Sequence, residues 1–187
     1  IYRPLYDELV NIHRNILNEN PYPSIIEFRV GHQTMIPHPQ YVEWQKIKLD
    51  SRYLQTPTEL KRQMERLFGA LDGYLTKRKG ASDEVKRILD SVLEEFKLPP
   101  CRIENFGSVV LGDVMGGKRK GIYGESMYFM EEDVPDEAVI KKVNERFYEM
   151  ADESIILKDM KDVYNGWMRE EEMAIKILEL LIRMAEK

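Results

Sequence analysis

Thr56-Pro57-Thr58-Glu59 constrains the fold more than any other segment of this chain. The threonine can accept from exposed N–H groups, the proline is pre-set for a first helical turn, and the glutamate follows three residues on. Together they mark a helix start. Leu60, Met64, Leu67, Leu71 and Leu75 then recur every three or four residues, so one face of that helix has to be buried. Lys77-Arg78-Lys79 suit the partial negative charge of a helix C-terminus, and Gly80 can close it. Ser82, with Asp83 and Glu84 behind it, starts a further helix. Val85, Ile88, Leu89, Val92 and Phe96 form its apolar face, and Pro99-Pro100 stops it.

The remaining elements follow from period and punctuation. Leu5, Leu9, Ile12 and Ile16 predict a helix over 5–18, ended by Asn20-Pro21-Tyr22-Pro23. Ile26, Phe28 and Val30 alternate with charged residues and predict a strand over 24–30. A loop over 31–40 and a second strand over 41–49 follow, although the alternation changes phase between Trp44 and Ile47. Strands are expected at 102–111 and 122–130, and a helix from Asp133-Val134-Pro135 to Met150. The tail 154–187 reads as helix through Ile156, Met160, Val163, Trp167, Ala174, Ile177, Leu181 and Met184. Gly166 and the charged run 169–172 are places where it can kink or split. The expected fold is therefore α+β, one compact domain over 1–187, with an antiparallel or mixed sheet covered by helices. The order helix–strand–strand–helix occurs twice, which suggests two diverged αββα units over 5–80 and 82–151.

Charge narrows the function classes. The net charge is −5 and the pI about 5.4, so a uniformly basic nucleic-acid coat is excluded and any such contact has to be local. Charged residues are 33% of the chain, above the ~25% usual for globular domains and rich in Glu and Lys, a thermophile-like composition. A single cysteine, Cys101, rules out an internal disulfide framework and favours a reducing, cytoplasmic setting. The chain opens Ile1-Tyr2-Arg3-Pro4 without a signal-like apolar run, and no window nears the ~18 apolar residues of a membrane span.

The most distinctive chemistry lies in Gly112-Asp113-Val114-Met115-Gly116-Gly117-Lys118-Arg119-Lys120-Gly121. Gly116, Gly117 and Gly121 let backbone N–H groups turn toward an anion, and Lys118, Arg119 and Lys120 supply charge. Tyr123, on the next expected strand, adds an aromatic face of the kind that stacks on bases. The leading expectation is an intracellular, non-enzymatic binding protein that contacts a phosphate-bearing ligand here, most plausibly nucleic acid. The loop fits neither a dinucleotide fingerprint nor a Walker loop, because Arg119 stands where Ser or Thr should follow Lys118. Lys77-Arg78-Lys79 is a second basic cluster that would strengthen this reading if it shared a surface with the first.

Two other classes stay open. The tail helix, with Met160, Trp167, Met168, Met173 and Met184, suits an assembly or adaptor protein docking a partner or a second copy through 154–187. A small metal-dependent enzyme would use His32, His38 and Cys101, with Glu43 as an oxygen ligand. No CxxC, HExxH or HxH pair supports it, and neither a metal nor a cofactor is expected. Ser108 and Ser126 lack a nucleophile elbow, so no catalytic residue is assigned. Glu131-Glu132-Asp133 and Glu170-Glu171-Glu172 read as solvated faces or helix starts, and His13 as a partly buried structural residue.

Overall fold

The computed structural model describes residues 2–23, 29–30, 33–34, 39–117, 119–127, 129 and 134–186. Among them the chain is helical, and the expected α+β fold with its covered sheet is overturned. The β pairing described is one antiparallel two-residue ladder, β1 (Arg29–Val30) with β2 (Gln33–Thr34), Arg29 opposite Thr34. The rest of the expected 24–30 strand and most of the 31–40 loop lie outside the described residues.

The helices are α1 (Arg3–Asn11), α2 (Val42–Lys48), α3 (Arg52–Gln55), α4 (Thr58–Glu95), α5 (Phe106–Met115), α6 (Glu137–Glu153) and α7 (Ile155–Ala185). A π-helical turn (Ile12–Ile16) and a three-residue α turn (Leu17–Glu19) extend α1, so the first helix runs close to its expected length. Pro57, expected in the first turn, stands just before α4, and the Thr56 hydroxyl donates to the Arg52 carbonyl at 2.9 Å and so closes α3. Neither Gly80 nor Ser82 interrupts α4. A glycine inside a helix costs about 1 kcal/mol, less than the burial of Ala81, Val85, Ile88 and Leu89 beyond it returns. Likewise α7 runs unbroken through Gly166 and 169–172.

Three expected strands fail for separate reasons. In 41–49, Trp44 and Ile47 are buried three residues apart in α2, so the phase change in the alternation marked a helical period. In 102–111, Phe106, Val110 and Leu111 are buried at helical spacing in α5, where tertiary packing outweighs the strand preference of Val109-Val110. The 122–127 stretch is a set of turns. Its Tyr123 N–H donates to Asn144 Oδ1 at 2.9 Å, and Asn144 Nδ2 donates back to the Tyr123 carbonyl at 2.8 Å. One side chain of α6 satisfies the backbone groups that a ladder would have used. Among the described residues the αββα pattern therefore lacks three of its four expected strands.

Backbone contacts divide the chain into two compact units, 1–75 with 163–187, and 76–162. The core of the first unit includes Leu5, Leu9, Ile12 and Leu17, Trp44 and Ile47 of α2, Leu60, Met64, Leu67 and Tyr74 of α4, and Trp167, Ala174 and Leu178 of α7. The second buries Val85, Leu89 and Val92 of α4, Phe106, Val110 and Leu111 of α5, Ile122 and Tyr123, Val143 and Phe147 of α6, and Leu157 and Met160 of α7.

Candidate functional site

The glycine-basic segment is divided between a helix and a turn. Gly112 to Met115 form the last turn of α5, and the Gly116 N–H donates to the Gly112 carbonyl at 2.9 Å. Gly117 takes φ +73°, a left-handed value that glycine adopts without strain, and Arg119 is held at φ +38°. The cations thus follow a helix C-terminus, where free carbonyls favour positive charge. Arg119 Nη2 lies 2.5 Å from Asp152 Oδ2, with its guanidinium 5.7 Å from the centre of the Tyr148 ring. Lys120 Nζ lies 2.7 Å from Asp113 Oδ1, and that carboxylate raises the ammonium's pKa above its ordinary value. Tyr148 OH donates to the Lys120 carbonyl at 2.7 Å. The carboxyl group of Glu125 occupies the space where a Gly121 side chain would begin. Tyr123 is buried, edge-on to Phe129 with ring centres 4.8 Å apart, so its face is spent on packing. Lys118 lies outside the described residues.

The second basic cluster disperses. Lys77 pairs with Asp159, Arg78 is buried with Nη2 donating to the Ser108 carbonyl at 3.4 Å, and Lys79 is exposed. Of the expected metal-site residues, His32 and His38 lie outside the described residues. Cys101 is buried, which raises its thiol pKa, and its N–H donates to Asp90 at 3.1 Å. Among the described residues no group of three or more His, Cys, Asp or Glu could hold a metal ion.

The first unit contains a polar hub centred on Glu171, a member of the acidic run expected to be a solvated face or a helix start, and joined by His13, which is partly buried as expected. Glu171 is fully buried. It accepts from Tyr41 OH at 2.7 Å and from His13 Nδ1 at 3.1 Å, while Trp167 Nε1 donates to the Tyr41 hydroxyl at 2.8 Å. His13 Nε2 also lies 3.4 Å from Glu172. The signal was legible. Trp167, Glu171, Ala174 and Leu178 fall at helical spacing, so the acidic run has one member on the apolar face. A buried carboxylate needs such donors, and these fasten the π turn and residue 41 to α7. The bond to Glu171 is the largest cause of a raised His13 pKa, so the protonated imidazole stabilises the fold. Stability from this contact should be complete below the unfolded value near 6.5 and fall as pH rises through the folded value. Melts across pH 6–9 check this: the chain should lose stability upward, and His13→Gln should flatten that slope.

A second feature of α7 faces outward. Met173, Leu180 and Met184 are 43%, 59% and 73% exposed, and half-buried Ile177 lies between them. Their spacing of four, three and four residues is the a/d repeat of a coiled-coil seam. The expected tail stripe is therefore split. Met160, Trp167 and Ala174 turn inward, and Met184 turns outward. Arg169, Lys176 and Arg183 are exposed along one side of the seam. Among the described residues no helix is long and apolar enough to cross a membrane.

Comparison with protein-family models, with curated proteins and with solved structures gives no match.

Proposed function

We propose that this chain is a helical protein-interaction module that docks a partner helix along the outer seam of α7. The observation that carries this is the exposure of three large apolar side chains, Met173, Leu180 and Met184, in heptad register on one ordered helix. Scattered exposed apolar residues need no explanation, but a register that knobs-into-holes packing requires does. Methionines at such a surface adapt to varied partner side chains. Another face of the same helix is anchored by Trp167, Ala174 and Leu178, so the seam is presented on a fixed support.

A phosphate-bearing ligand at 116–121 ranks behind this reading. It would meet the carbonyl end of α5 and would have to displace Asp113 from Lys120 and Asp152 from Arg119.

The docking reading predicts that a synthetic three-heptad helix with Leu at a and d and uncharged Gln at e and g binds the chain. Leu180→Asp should weaken that binding about tenfold or more, since one buried leucine is worth about 1.5–3 kcal/mol. Its melting temperature should stay near that of the parent because Leu180 lies outside the core. Equal binding by parent and variant, measured by fluorescence anisotropy, would reject the seam.

A further inference from the structure

We infer that the partner helix carries acidic flanks and belongs to another protein rather than to a second copy of this chain. This rests on the docking reading of the α7 seam. With Met173 and Leu180 at d and Ile177 and Met184 at a, Arg169, Lys176 and Arg183 fall at three successive g positions, and all three are exposed. The g row is a charged row that a helix packed on an a/d seam meets directly.

The glutamates that would neutralise this row from within α7 are turned away. Glu172, four residues before Lys176, pairs with His13 Nε2 at 3.4 Å. Glu179, four residues before Arg183, accepts from Tyr6 OH at 3.1 Å. Among the described residues neither Lys176 nor Arg183 has a carboxylate within ion-pair distance, and Arg169 reaches Glu170 at 4.0 Å. The sequence supplies the i,i+4 partners, and α1 and the π turn that extends it draw them off, which leaves positive charge beside the apolar seam.

A second copy fits this surface poorly. Antiparallel self-pairing would set the g row against itself, cation against cation. Parallel self-pairing would set it against the e positions, Ala174 and Leu181, and leave it without a counter-charge. An anionic lipid surface fits less well than an acidic helix. A helix lying in a membrane interface needs a broad apolar face, whereas here Trp167, Ala174 and Leu178 are already committed to the protein core.

The test uses the full chain and three helical peptides of identical Leu a/d seam, with Glu, Gln or Lys at e and g. At low salt the Glu peptide should bind about tenfold more tightly than the Lys peptide, and the gap should close near 1 M salt, where screening acts within ~3 Å. The charge reversal K176E/R183E should invert the order. Binding of the Gln peptide with no preference between Glu and Lys would overturn the acidic flank and leave the seam standing. Self-association of the chain that Leu180→Asp abolishes, with no peptide bound, would make the occupant a second copy and overturn the inference. Binding to phosphatidylserine vesicles in place of any peptide would overturn it in favour of lipid. Absence of binding to every probe would reject the inference together with the docking reading.

Discussion

Trp167→Ala should destabilise the first unit by about 3–5 kcal/mol, the range for removing a large buried aromatic side chain. Trp167 is fully buried, its ring 4.8 Å from that of Tyr74 and 6.3 Å from that of Tyr164. Removing it opens a cavity among rings that cannot collapse far. It also takes the indole donor from the Tyr41 hydroxyl, the donor that meets buried Glu171 at 2.7 Å. Both terms act on one contact network, so they should not add as independent sites do. Trp167→Phe separates them. It keeps most of the ring volume and loses the donor, and should cost roughly 1 kcal/mol plus a modest packing term. Denaturant unfolding followed by far-ultraviolet circular dichroism measures both. A loss below ~1 kcal/mol for the alanine variant would mean that α7 is not anchored through this residue.

The same network shows where sequence reasoning stopped. The 3.6 period of α4 and of α7 was legible because it extends over many turns and one face stays apolar throughout. The short elements were not. Residues 41–49 and 102–111 combine β-branched and aromatic residues in runs of about ten, a length at which strand and buried helix share one signature. What decided between them was tertiary. Gly107 passes close to the α4 backbone, and Asn144 reaches back to residue 123, neither of which leaves a mark on local periodicity. The glycine-basic segment hid its partners for a related reason. Gly116 and Gly117 end a helix, and the counter-charges Asp113 and Asp152 come from α5 and α6. Aspartates standing 7 and 33 residues from their cations give a one-dimensional reading no way to pair them. The outer seam of α7 was half visible. Its methionines were noted, but which of two interleaved apolar stripes faces solvent depends on where α1 and residue 41 pack.

Gly107→Ala should destabilise the second unit by about 3 kcal/mol or more, at or beyond the upper end for overpacking a core. A methyl group at this position in α5 would overlap the Ser82 carbonyl oxygen, and would lie 2.7 Å from the Ser82 carbonyl carbon and 3.2 Å from its Cα. All three are backbone atoms of α4, so no rotamer change relieves the clash. The two helices would have to separate, and Phe106, Val110 and Val85 lie buried around that crossing. Close approach is thus what glycine provides here, rather than an unusual φ. Gly80→Ala is the matched control. It lies within α4, nothing stands within 4 Å of the added methyl, and the substitution removes the glycine penalty. It should therefore stabilise by about 0.5–1 kcal/mol. The two variants carry the same chemical change into the same unit, so opposite signs in their thermal melts would isolate the helix crossing as the cause. Equal and small effects would mean that α5 does not lie against α4 at Ser82.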